Sequence, residues 1–71
     1  MVEMTYVQSS NVEQVGYDVD NMELYVKFKS SGTIYVYQNV PQEVFTMLMA
    51  APSIGSFINR EVKDRYSFRK E

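Results

Sequence analysis

The sequence predicts an α+β fold, an antiparallel three- to four-stranded meander with two C-terminal helices packed on one face. Three observations lead there. Residues 14–19 alternate apolar and polar side chains, and residues 22–39, M-E-L-Y-V-K-F-K-S-S-G-T-I-Y-V-Y-Q-N, read as two further alternating strands joined by a tight turn. Asp20-Asn21 and Ser30-Ser31-Gly32 separate these runs with residues that favour turns. Beyond Val40-Pro41 the apolar period lengthens to that of a helix.

In chain order, Met4-Thr5-Tyr6-Val7-Gln8 is a β-leaning run suited to a short edge strand. Ser9-Ser10-Asn11 ends it, because these side chains bond nearby backbone groups and compete with regular structure. In the next strand Val15, Tyr17 and Val19 share one face, and Gln14, Gly16 and Asp18 the other. Asp20 and Asn21 tolerate positive φ, as a two-residue hairpin turn demands. Val19 then opposes Met22, Tyr17 opposes Leu24 and Val15 opposes Val26, which gathers the apolar residues on one face.

In the second hairpin Ser30-Ser31-Gly32 fits a three-residue loop, with Gly32 in the left-handed position. Lys29 then faces Thr33, Lys27 faces Tyr35 and Tyr25 faces Tyr37, while Phe28 meets Ile34 and Val26 meets Val36 on the core side. The predicted sheet core is therefore Val15, Tyr17, Val19, Leu24, Val26, Phe28, Ile34 and Val36.

Pro41 fits a first helical turn, where its missing N–H costs nothing. Val44, Phe45, Leu48 and Ala51 form the apolar stripe of a helix over residues 42–51, with Met49 widening it. Glu43 sits in the first turn, where the helix dipole favours an acid. Pro52 ends this helix and Ser53 caps a second one, whose inward stripe is Phe57, Ile58 and Val62. Tyr66-Ser67-Phe68 closes against the sheet or the helix pair, and Arg69-Lys70-Glu71 is expected to fray.

Seventy-one residues make one domain with a small core. The absence of cysteine excludes disulfide and thiolate chemistry and suits a reducing cytoplasm. The absence of histidine removes the usual general base and the commonest metal ligand together. No apolar run approaches the roughly 20 residues of a membrane span, and residues 1–4 carry no signal-peptide pattern. The acids at one turn, Asp18, Asp20 and Glu23, are a turn composition, not a tuned acid–base pair or a calcium loop. The sequence thus predicts a cytoplasmic, non-enzymatic protein without cofactor, metal or membrane partner.

The net charge of −2 is unevenly spread. Every charge up to residue 24 is acidic, whereas Arg60, Lys63, Arg65, Arg69 and Lys70 crowd the end. On the sheet face opposite the core, the predicted register sets Gly16, Tyr25 and Tyr37 in one row and Gln14, Lys27 and Tyr35 in the next, followed by Lys29 and Thr33. Tyrosines interleaved with lysines suit single-stranded nucleic acid, bases stacking on rings while ammonium groups hold phosphates. The same composition also serves stability alone, through strand propensity and cross-strand pairing. Residues 53–59 are a second candidate, a helix start able to meet an anion with Arg60 and Lys63 nearby, or ordinary capping.

Five fragments occur in order along the chain: S-S-N-V from Ser9, G-Y-D from Gly16, Y-V-Y from Tyr35, V-P at Val40, and A-P-S-I-G-S-F-I-N from Ala51. Together they resemble the KTSC domain, a small module named for the C-terminus of some lysyl-tRNA synthetases and also found as a stand-alone bacterial protein. The resemblance implies that residues 1–71 are one KTSC-like domain, that its central Y-x-Y is Tyr35 and Tyr37, and that RNA is a candidate ligand through the synthetase fusion. The chain departs from the family pattern at Ile54, where members commonly carry a lysine, and near Ser56, where they often carry a basic residue; the loss of charge lowers phosphate affinity.

The expected function is therefore a small binding module for RNA or single-stranded nucleic acid. Tyr25, Tyr35 and Tyr37 would stack bases, and Lys27, Lys29, Arg60 and Lys63 would hold the backbone. The alternative is a protein–protein interaction or homodimerisation module using the same tyrosine face or an edge strand.

Overall fold

The computed structural model describes residues 2–71; Met1, first of the four residues read as lacking a signal pattern, lies outside the described residues. The described residues form an antiparallel sheet of order β1-β2-β3-β4-β5. Its strands are β1 (Thr5–Tyr6), β2 (Val12–Asp18), β3 (Glu23–Phe28), β4 (Ile34–Tyr37) and β5 (Phe68–Lys70). Between β4 and β5 come α1 (Gln42–Ala50) and α2 (Ile54–Phe57), which runs on into a π-helical turn at Ile58–Val62. The predicted α+β class, meander order and helix pair are all present, with β5 as an additional strand.

β2 and β3 pair in the predicted register, Val15 opposite Val26, Gly16 opposite Tyr25 and Tyr17 opposite Leu24. Their connection is longer than expected, because pairing stops at Asp18 and Glu23. The Asp18 carboxylate accepts from the Asp20 and Asn21 backbone N–H groups (3.1 and 3.2 Å) and from the Asn21 side chain (2.8 Å). This ordered turn passes the positive φ on to Met22 (φ 55°) instead of Asp20 or Asn21. Val19 and Met22, expected as a core pair, lie 59% and 42% exposed in the loop. The loop grew by an even number of residues, so neither strand changed faces.

The second hairpin corrects the sequence reading more deeply. The Phe28 N–H donates to the Thr33 carbonyl (3.2 Å) and the Gly32 N–H to the Phe28 carbonyl (2.9 Å). The loop is therefore residues 29–32, with Gly32 left-handed at φ 67°. That is one residue more than expected, and a one-residue slip moves every side chain of a strand to the other face. Val26 lies opposite Tyr35, Leu24 opposite Tyr37 and Lys27 opposite Ile34. Tyr35 and Tyr37 consequently share the face of Val15, Leu24 and Val26, while Ile34 and Val36 join Tyr25 and Lys27 on the outer face.

The helices cover that inner face. Leu48, Ile54, Phe57, Ile58 and Val62 form one buried cluster with Val12, Val15, Leu24, Val26, Tyr37 and Val40. Ser53 caps α2 as predicted, its hydroxyl accepting from the Ser56 N–H at 3.3 Å. Ile54 joins the predicted inward residues because it stands three and four positions before Phe57 and Ile58. Pro41 precedes the first turn of α1 with extended backbone, one position earlier than expected. Met49, expected to widen the α1 stripe, is 41% exposed. Tyr17 ties the layers together: its hydroxyl donates to the Val40 carbonyl and its ring stacks on Phe45 at 5.5 Å.

The C-terminus is a strand and not a frayed end. Phe68 pairs with Tyr37, Arg69 with Val36 and Lys70 with Tyr35. Backbone bonds from Gln38 N–H to the Ser67 carbonyl and from Glu71 N–H to the Ile34 carbonyl, both 2.8 Å, extend the pairing at each end. On the outer face Gly16 is covered by the N-terminal segment. A Cβ there would stand 2.7 Å from the Glu3 carbonyl oxygen and 2.8 Å from side-chain atoms of Val2 and Met4.

Candidate functional site

The register change builds a cleft that the open sheet face would not have provided. Tyr35 and Tyr37 project toward the helices, and with Phe28, Ser30, Ser31, Ile58, Asn59 and Lys63 they line a cleft of about 350 Å³. Phe28 and the turn after it form one wall, the π-helical turn with Lys63 the other, and β4 the floor. The lengthened hairpin loop and the i→i+5 bond from Lys63 N–H to the Ile58 carbonyl (2.8 Å) position these two walls.

β5 completes the site. Phe68, 48% exposed, lies 5.1 Å from Tyr35 and 5.7 Å from Tyr37 between ring centroids. Phe28 meets Tyr35 edge-on at 5.2 Å, and Tyr35 and Tyr37 are 6.3 Å apart and nearly parallel. The Lys70 ammonium sits 5.5 Å over the Tyr35 ring, within the range of a cation–π contact. Burial pushes the Tyr37 phenol above its ordinary pKa, with a smaller push from Tyr35, so it is neutral at physiological pH. The site combines aromatic surface, neutral hydroxyls and an amide with two ammonium groups.

Of the residues singled out from the sequence, Tyr35, Tyr37 and Lys63 come together here. Tyr25 and Lys27 lie on the outer face, where Lys27 pairs with Glu13 at 3.7 Å. Lys29 is exposed in the hairpin turn, its backbone N–H bonded to the Asn11 carbonyl. Arg60 is exposed on the second helix and donates to the Ser56 carbonyl at 3.3 Å. Sequence reasoning missed Phe68, Lys70 and Asn59. The alternation of Phe68 and Lys70 about Arg69 was a usable strand signal, hidden by its position at the chain end.

Among the described residues, no three His, Cys, Asp or Glu side chains gather to hold a metal, and no helix is long and apolar enough to cross a membrane. The residues lining the aromatic cleft include no His, Cys, Asp or Glu.

The KTSC domain family model matches residues 8–66, spanning β2 through the turn before β5. The chain belongs to the KTSC domain family. A protein from Tsukamurella paurometabola is 44% identical over 63 residues, covering 89% of this chain and 92% of that protein. Another from Stutzerimonas stutzeri is 40% identical over 60 residues, covering 84% and 83%. The crystal structure of a KTSC domain protein from Yersinia pestis superposes with a TM-score of 0.95 at 32% identity, covering 100% of this chain and 99% of that one. In this KTSC domain the Y-x-Y tyrosines are the floor of a cleft, and S-S-N-V and A-P-S-I-G-S-F-I-N meet where Asn11 packs against Gly55.

Proposed function

We propose that this KTSC domain is a cytoplasmic, non-enzymatic module that binds single-stranded nucleic acid in the cleft between β4, β5 and the second helix. The observation that carries the reading is the placement of Lys63 and Lys70 around the half-buried ring of Tyr35 and the exposed ring of Phe68, with the buried Tyr37 behind them. A base stacking on such rings gains roughly 1–3 kcal/mol. The two ammonium groups are then placed for the flanking phosphates. The protein is acidic overall, so the affinity comes from this local arrangement and not from a general basic field.

A test is fluorescence-anisotropy titration of labelled oligouridylate across a salt series. Two phosphate contacts predict a slope of log affinity against log salt of about −1.4, falling by about 0.7 in Lys63→Ala or Lys70→Ala. A protein-interaction role is the second reading, favoured by Tyr6, 74% exposed on the edge strand β1. No binding to oligouridylate even at low salt would leave that second reading in place of the first.

A further inference from the structure

A second cleft of about 340 Å³ adjoins the aromatic one, and its lining is of a different chemical kind. Gln8, Ser9, Ser10 and Asn11 form one side and Pro52, Ser53, Ile54, Gly55, Ser56 and Asn59 the other. Its polar side chains are all hydroxyls and carboxamides, with no charge among them. Asn59 lines both clefts, standing between them, and Ser56 and Lys63 flank it along the same helical stripe.

The contact between the two sides is built into the backbone. A Cβ on residue 55 would stand 2.5 Å from Asn11 Oδ1, so only glycine lets the Asn11 side chain lie this close to the second helix. Ser9 Oγ fixes the facing turn, donating to Asn11 Oδ1 at 3.0 Å and accepting from the Val12 N–H at 3.3 Å. Among the described residues, neither the Asn59 amide nor the Ser56 hydroxyl has a hydrogen-bond partner within the chain, which leaves both available to a ligand.

We infer that this polar cleft is a sugar subsite, taking the ribose of the nucleotide next to the one whose base stacks in the aromatic cleft. The inference rests on the nucleic-acid reading above. Neutral donors and acceptors suit a polyhydroxyl group, whereas a phosphate subsite needs cations or a row of free N–H groups. Asn59 joins the two subsites, so a strand crossing it sets a base on Tyr35 and a 2′-hydroxyl among the serines. The 2′-hydroxyl is the group that distinguishes RNA from DNA. The ligand class is therefore single-stranded RNA.

The test compares hexamers of uridine and deoxyuridine, which differ only at the 2′ position, on the full chain at one salt concentration. The ribose hexamer is expected to bind about tenfold more tightly, as one or two added hydrogen bonds allow. Ser10→Ala and Ser56→Ala, at serines that line the polar cleft alone, are each expected to bring the two affinities closer by weakening RNA alone. Equal binding of both hexamers by the unaltered protein overturns the sugar subsite and leaves the aromatic cleft standing. Binding of neither hexamer overturns both readings. Equal weakening of both hexamers in the variants also overturns the sugar subsite, since it marks a loss of the cleft wall and not of a 2′-hydroxyl contact.

Discussion

Glu23 on β3 and Arg69 on β5 meet across the intervening strand β4, with Arg69 Nη1 2.7 Å from Glu23 Oε2 and Nη2 3.4 Å from Oε1. The forked pair lies on the outer face and holds β5, which carries Phe68 and Lys70 to the other side. The paired carboxylate raises the Arg69 pKa further above its already high ordinary value, so the guanidinium stays charged at any working pH. Replacing Glu23 by Gln is expected to leave global stability little changed, because exposed ion pairs contribute little. It is also expected to raise amide exchange selectively at residues 67–71. Exchange rates there equal to those of the unaltered protein would show that backbone pairing alone holds the strand.

Tyr17 gives a stability prediction from the edge of the core. Its hydroxyl serves the carbonyl of Val40, which is buried. Tyr17→Phe keeps the stack on Phe45 and leaves that carbonyl without its partner, a loss of about 1–2 kcal/mol. A urea midpoint unchanged by the substitution would mean that the carbonyl finds water instead.

Asp18 sets the acid limb of stability. Its bonds to Asn21 and Asp20 hold its pKa below the ordinary carboxylate value, with the Asn21 side chain contributing most. A carboxyl depressed in the folded state contributes stability that is present above its unfolded pKa of about 4 and is lost as pH falls through the lower folded value. Asp18→Ala is therefore expected to flatten the fall in urea midpoint below about pH 4. An acid limb as steep as that of the unaltered protein would assign it to other carboxylates.

Gly16 faces the N-terminal segment so closely that no side chain fits beneath it. Gly16→Ala must displace the backbone at Glu3 and is expected to cost about 1–3 kcal/mol. Chemical shifts of residues 2–4 should move while those around Tyr35 stay in place. Unmoved shifts at residues 2–4 would contradict the close covering of Gly16.

How much of this was legible in the sequence turns on the parity of two loops. Around residues 19–22 the Asp18 carboxylate lengthened the loop by two residues, so the predicted partners Tyr17–Leu24 and Val15–Val26 survived. At residues 29–32 Lys29 entered the loop alone, and every side chain of β4 reversed. Both faces of β4 are rich in β-branched or aromatic residues, Ile34 and Val36 on one and Tyr35 and Tyr37 on the other, so hydrophobic pattern could not choose between them. The helices were easier to read, because Val44, Phe45 and Leu48 keep a helical spacing and Ser53 announces its own helix. The site was half legible: Tyr35, Tyr37 and Lys63 were found by type, but the face they share needed the register.

The most direct measurement is an NMR titration of the labelled protein with oligouridylate at low salt, mapping which side chains and amides respond. The aromatic-cleft reading predicts shifts at Phe28, Tyr35, Tyr37, Asn59, Lys63 and Phe68, with Tyr25 and Lys27 on the outer face unmoved. Shifts centred on Tyr25 and Lys27, or none anywhere, would contradict it.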